Sequence, residues 1–340
     1  MAHICLRAGL ATCLVLTFFT VGSVHAQNEN QQAATIATTL EESSATKLAI
    51  PRFGFSDEPQ CDDQGDVFFH LYSGSYRIST IFELTADADK SLLYRLPVDL
   101  AREVGFESFA VSPSGEVYVL GQIREGTQDS DVHEYVFSFS DSDGSMTSKV
   151  RLETPHYILA DAFTVLQGGV ILFSGHFVKE APEELRGKRY AALFDASGRV
   201  NKVLDTQGKV DERLLVGGAA TRGRDGYAYL LGNSEVTVFS PTGEIARRIP
   251  FQNPDPNAIP TSIKLSEGLM SITLSKVGKD HWIEPRYLVM DAFTGSIYAY
   301  YVPSKDLGNQ TLCFSRKTGY TFLKPTDDGN YEEILRAPLR

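Results

Sequence analysis

From about residue 46 to the C-terminus, short apolar runs alternate with polar turns, and the turns close on glycine at nearly regular intervals. Six segments align: Pro59–Phe69, Phe109–Val119, Phe163–Phe173, Ala220–Leu230, Ser262–Ile272 and Cys313–Leu323. Each reads as a short strand, a polar turn and a second apolar strand. The turn glycines are Gly65, Gly115, Gly168, Gly226, Gly268 and Gly319, spaced 50, 53, 58, 42 and 51 residues apart. Glycine suits these places because a tight hairpin needs positive φ. A second hairpin ends in an Asp/Ser/Gly turn at Phe139–Gly144, Phe194–Gly198, Phe239–Gly243 and Met290–Gly295, and at Phe82–Asp87 without the glycine. A last strand follows, as at Leu92–Leu96 and Ile245–Ile249. No long helical period interrupts the pattern, which predicts a repeat of four-stranded units.

The sixth unit lacks its last strand, because the chain stops at Arg340 soon after Glu333-Ile334-Leu335. An orphan strand stands at the other end. Lys47-Leu48-Ala49-Ile50-Pro51 matches the fourth strands Tyr94-Arg95-Leu96-Pro97 and Arg248-Ile249-Pro250, down to the proline. The expectation is an all-β, six-bladed β-propeller over residues 46–340, with four-stranded blades and a ring closed by residues 47–51 joining the last blade. Closure removes the open edge that an unclosed β-sandwich, the alternative, would leave for another chain. From Lys47 to Arg340 the pattern resembles the six-bladed propellers of the NHL and SMP-30/gluconolactonase-like group.

Residues 1–26 read as a signal peptide: Arg7, an uncharged run from Ala8 to about Val24, and Val24-His25-Ala26 before Gln27. Cys13 lies inside that run and not at its end, which argues against a lipoprotein signal. Residues 27–45 are rich in Gln, Asn, Ala, Thr, Glu and Ser, and read as a flexible leader. No later stretch reaches the ~20 apolar residues of a spanning helix. The formal charge is −11, and −12 without Arg7. That balance excludes a nucleic-acid footprint and favours cationic partners. The expectation is a monomer exported to the periplasm or the cell exterior.

Two cysteines remain after export, Cys61 and Cys313, on the inner strands of blades 1 and 6. An even pair in an exported chain reads as a disulfide. Counted from the hairpin glycines, however, Cys61 stands four residues away and Cys313 six, which predicts levels ~6–7 Å apart. That offset favours two buried free thiols over the bond.

Propeller sites gather at the mouth of the central channel, so acids just before the inner strands are the first candidates. Blade 1 supplies Asp57 and Glu58, blade 2 Glu107 and blade 3 Asp161. Glu58, Glu107 and Asp161 precede their hairpin glycines by seven, eight and seven residues, so they share one level of the ring. Three such carboxylates could hold Ca²⁺ or another divalent cation, and the resemblance to SMP-30-like lactonases implies carboxylate and Asn ligands there. The sequence departs from that family at Gly218 or Ala219, Pro260 or Thr261, and Thr311 or Leu312, and carries Asp57-Glu58-Pro59 where the family has Glu-Gly-Pro. Solvated surface acids and no cofactor is the simpler reading. His70, His133, His156, His176 and His281 are scattered without a metal-ligand spacing, which reads as loop histidines. No nucleophile elbow or phosphate loop is present.

Two functions follow. One is a non-enzymatic binding protein whose channel mouth takes a protein, peptide or small molecule. The other is a metal-dependent hydrolase or lactonase of the SMP-30-like type. The missing ligands in blades 4 to 6 favour the first.

Overall fold

The computed structural model describes residues 37–340, apart from 52–53, 56–58, 73–79, 87–90, 102, 128–130, 179–181, 205–219, 278–282, 308–309 and 328–330. The signal-peptide reading therefore lies outside the described residues. The chain begins with β1 (Ala37–Leu40), β2 (Ser44–Pro51) and β3 (Gly54–Phe55). Blade 1 is β4 (Gln60–Cys61), β5 (Val67–Tyr72), β6 (Thr80–Leu84) and β7 (Ser91–Arg95), with β3 also paired to β5. Blade 2 is β8 (Val104–Val111), β9 (Val117–Arg124), β10 (Val132–Phe139) and β11 (Met146–Arg151). Blade 3 is β12 (Ile158–Val165), β13 (Ile171–Phe177), β14 (Arg189–Phe194) and β15 (Val200–Val203). Blade 4 is β16 (Ala220–Arg222), β17 (Ala228–Leu231), β18 (Glu235–Phe239) and β19 (Ile245–Pro250). Blade 5 is β20 (Ala258–Ser266), β21 (Leu269–Val277), β22 (Ile283–Asp291) and β23 (Ile297–Pro303). Blade 6 is β24 (Gln310–Ser315), β25 (Gly319–Pro325), β26 (Tyr331–Ala337) and, as its outer strand, β2.

This is a six-bladed β-propeller. The inner strands pack in succession from β4 through β8, β12, β16, β20 and β24, and β24 returns to β4. Each hairpin is set by its turn. In blade 1, Gly65 has φ +90°, and Asp62 Oδ1 accepts the backbone N–H groups of Gln64, Gly65 and Asp66 at 2.9 Å each. Apolar side chains bury between blades. Tyr287, Tyr301, Phe314 and Tyr320 are fully buried where blades 5 and 6 meet, with Tyr287 and Tyr320 ring centroids 4.3 Å apart. Aromatic burial of this kind dominates core energetics.

The closing strand is where the sequence places it. β2 runs antiparallel to β26, with Lys47 opposite Glu333 and Pro51 opposite Tyr331. The leader reading of 27–45 needs correction at its C-terminal end. Ala37–Leu40 runs parallel to the outer strand of blade 5, with Ala37 opposite Tyr300 and Leu40 opposite Pro303. One leucine explains the difference: Leu40 is 1% exposed and joins the aromatic cluster between blades 5 and 6.

The free-thiol reading is also overturned. Cys61 and Cys313 form a disulfide with Cα atoms 5.4 Å apart, within the range a disulfide spans. The glycine count misjudged their levels because the two hairpins differ. In blade 1, Cys61 pairs with Val67 and Gly65 lies inside the turn between them. In blade 6, Gly319 is already in the ladder, opposite Ser315, and the turn is the three residues between them.

Candidate functional site

The inner strands share an irregularity that the repeat alone does not announce. The ladder between first and second strands skips one inner-strand residue in blades 2, 3, 5 and 6: Glu107, Asp161, Thr261 and Leu312. These are the same position in each blade. A bulge leaves its extra residue unpaired, bends the strand and re-aims the side chain. In blade 2 it lies four residues before Val111, the last ladder residue, ~13 Å along the strand from the hairpin end. Counted the same way from Cys61 and Arg222, the equivalent residues of blades 1 and 4 are Asp57 and Gly218, which with Glu58 lie outside the described residues.

Three of the four bulged side chains bond the same second-strand position. Gln122 Nε2 donates to Glu107 Oε1. His176 Nδ1 stands 3.1 Å from Asp161 Oδ1. Thr261 Oγ1 and Ser275 Oγ are 2.8 Å apart. Leu312, in blade 6, is fully buried instead. Blades 2 and 3 also place glycine opposite the bulge. A Cβ on Gly121 would meet Val104 Cγ1 at 2.6 Å, and one on Gly175 would meet Leu159 O at 2.3 Å. Glycine lets the bent inner strand approach its neighbour closely. The sequence signal for these partners is the pair of dipeptides Gly121-Gln122 and Gly175-His176, each glycine followed by a polar residue inside an apolar strand.

Polar groups concentrate between blades 2 and 3. Tyr157 donates its hydroxyl to Gln122 Oε1 at 3.1 Å. The neighbouring Glu134 is fully buried and accepts from Thr154 Oγ1 at 3.0 Å and from the Ile158 N–H at 3.5 Å. Burial pushes Glu134 up to about 7. Burial, and secondarily the Glu134 charge, push Glu107 up to about 8. Glu107 Oε2 is shut off from solvent and has no hydrogen-bond partner. At neutral pH this carboxyl keeps its proton and has a donor to offer. Asp161 is buried beside the partly exposed His176. Burial raises its pKa, while His176 and the half-buried Arg189 act the other way.

The structure thus sets two of the three sequence candidates, Glu107 and Asp161, at one level in adjacent blades. Sequence reading missed Gln122, Glu134, Tyr157 and the role of His176. The loop reading of the histidines is corrected at three positions: His133 lies within β10, His176 within β13, and His70, within β5, is buried and stacked on Phe106 at 3.7 Å. His133 contacts Arg151 and Glu125, His156 meets the edge of Phe177, and His281 lies outside the described residues. For a divalent cation, the donor set among the described residues is incomplete: no three His, Cys, Asp or Glu side chains gather as ligands, and Thr261 and Leu312 occupy two ring positions. Among those residues no helix is long and apolar enough to cross a membrane.

No protein-family model matches the sequence, and no curated protein matches it. Solved structures share its architecture. A gluconolactonase from Xanthomonas campestris is 13% identical with a TM-score of 0.48, covering 88% of this chain and 99% of that one. The WD40 domain of Neurospora crassa Pan2 is 13% identical with a TM-score of 0.45, covering 89% and 98%. A Bacteroides caccae protein of unknown function is 14% identical with a TM-score of 0.37, covering 76% and 79%.

Proposed function

We propose that this chain is an exported binding propeller whose ligand presents a cationic amine to Glu107 and Asp161 at the bulge level of blades 2 and 3. The observation that carries the reading is Glu107 Oε2, buried without a partner beside a second buried acid, Glu134. Burial first, and then the Glu134 charge, disfavour an ionised Glu107 unless a positive charge joins it. An arriving ammonium supplies that charge, so that Glu107 gives up its proton to the solvent and an ion pair is left in its place. The acidic balance of the whole chain (−11) attracts the same class of ligand.

Calorimetric titration with a lysine-containing tripeptide tests this in two ways. Binding at pH 7 releases a proton, seen as a dependence of the heat on buffer ionisation. The affinity falls about tenfold or more in the Glu107→Gln, Asp161→Asn double variant. Unchanged affinity in that variant, or no binding to the parent beyond a salt control, overturns the reading. A calcium arm addresses the metal-dependent hydrolase: a calcium-specific rise in Tm that vanishes in the double variant replaces the amine reading with the metal one.

A further inference from the structure

At the end of the ring that carries the Gly hairpins, residues of blades 1, 2, 4 and 5 wall a separate cavity of about 340 Å³, within the size range of small-molecule sites. Among the described residues that line it, four side chains are cationic and four are acidic. Arg224 is paired with Asp63 across the ring, and Glu267 adds its charge to the same guanidinium. Arg247 reaches Asp225 at 3.3 Å and donates to the Tyr229 hydroxyl. Arg222 stands 3.8 Å from Glu116, and Lys264 Nζ donates to the Pro59 carbonyl. The wall carries no net charge, so an ion would give up its hydration for a field that largely cancels. Hydrogen-bonding capacity remains. A guanidinium donates in several directions and a carboxylate accepts from several, so each pair still offers both kinds of group to a ligand.

Two turns of blade 5 meet this cavity, and each carries a residue that its geometry does not call for. The turn between β22 and β23 is closed by the Asp291 N–H to Ser296 O and the Gly295 N–H to Asp291 O. Blade 2 closes the matching turn by the same two bonds, Ser140 N–H to Ser145 O and Gly144 N–H to Ser140 O, and has Ser142 at the place of Phe293. The shorter turns of blades 3 and 4 hold Ala196-Ser197 and Pro241-Thr242 there. The Phe293 ring is 73% exposed, with the Arg247 guanidinium 4.9 Å from its centre, so it gains little from burial. The turn between β20 and β21 is Glu267-Gly268, with φ of +47° and +81°. Two positive φ values in a row favour Asn or Gly at the first place, and glutamate there stores strain. An exposed ring alone is ordinary. Here the exposed ring and the strained acid line one cavity.

We infer that this cavity is a binding site for a neutral saccharide, one face of the sugar ring against Phe293 and its hydroxyl groups bonded by Glu267, Arg224 and Asp291. The face of an aromatic ring is electron-rich and attracts the C–H hydrogens of a sugar ring. Each sugar hydroxyl both donates and accepts, which suits a wall of mutually neutralised guanidinium and carboxylate groups. The site is independent of the amine reading above, since the two share no residue.

The test is a set of ligand-observed NMR titrations. Methyl β-glucoside, methyl β-galactoside and methyl α-mannoside are the neutral probes, glucuronate and glucosamine the charged analogues, and adenosine a flat aromatic competitor. At least one neutral probe should bind with a Kd of ~1 mM or tighter, and more tightly than either charged analogue. Phe293→Ala should weaken that binding about fivefold to tenfold, whereas Ser142→Ala, in the matching turn of blade 2, should leave it unchanged. Glu267→Gly relieves the left-handed strain, so Tm should rise while affinity falls severalfold. A merely structural glutamate would not separate the two readouts in that way. The inference is overturned by no binding of any neutral probe, by a charged analogue or adenosine preferred over all three, by full affinity in Phe293→Ala or Glu267→Gly, or by affinity and Tm falling together in Glu267→Gly.

Discussion

Cys61 and Cys313 are bonded across the junction of the first and last blades, joining inner strands 252 residues apart in sequence. Within blade 6, β2 meets β26 by ladder pairing alone, and the disulfide adds a covalent tie between the inner strand of that blade and blade 1. Closing so long a loop limits the unfolded chain, an effect of about 5 kcal/mol in the chain-entropy model. The chain from Gln27 should show no free thiol when denatured without reductant. Cys61→Ser with Cys313→Ser should lower the denaturant midpoint while keeping the fold; two titratable thiols in the parent would remove the bond.

Truncation separates the two N-terminal strands. Removal through residue 36 should leave Tm unchanged. Removal through residue 43 takes away β1 and the buried Leu40, and should lower stability by about 2–3 kcal/mol. Removal through residue 52 strips β26 of its outer partner β2 and leaves an open edge. Aggregation or a large loss of stability is expected, measured by light scattering and melting. Equal stability of all three chains would contradict closure by β2.

Glu107 sets a pH dependence with a defined sign. Its folded pKa, about 8, lies above the ordinary 4.5, so the folded state holds a proton that the unfolded state has released. The stabilisation is complete below the unfolded pKa and is lost as pH rises through about 8. Between pH 6 and pH 8 the loss should be about 2 kcal/mol. Glu107→Gln should flatten the stability profile there, leaving the smaller contribution of Glu134. A variant that loses stability with pH as steeply as the parent would show that Glu107 ionises normally.

Gly175 governs the geometry of Asp161 and His176. A Cβ there meets Leu159 O at 2.3 Å and Ile158 Cγ2 at 2.6 Å, so the inner strand must shift. Gly175→Ala should cost about 1–3 kcal/mol and displace the His176 imidazole, seen as a changed ring resonance. An unchanged resonance would mean that the bulge does not depend on glycine.

The recurrence of Gly65, Gly115, Gly168, Gly226, Gly268 and Gly319 in apolar hairpins determined the six-bladed ring. The match of Lys47–Pro51 to the fourth strands determined its closure. Both are local signals: a turn that needs positive φ and a strand that needs a partner. Glu107 and Asp161 were legible as ring positions for the same reason, since they count back from those turns. Their chemistry was not. Whether a carboxyl keeps its proton depends on burial and on neighbours such as Gln122 and Glu134, which reach it only through the second and third strands. The disulfide and Leu40 show the same division. Glycine counting could not level Cys61 with Cys313 because the two turns differ in length. One leucine in a polar leader becomes part of the core only when folding brings Tyr287 and Tyr301 to it. Tertiary structure decided these points because each depends on contacts between blades, and those contacts form between residues far apart in the chain.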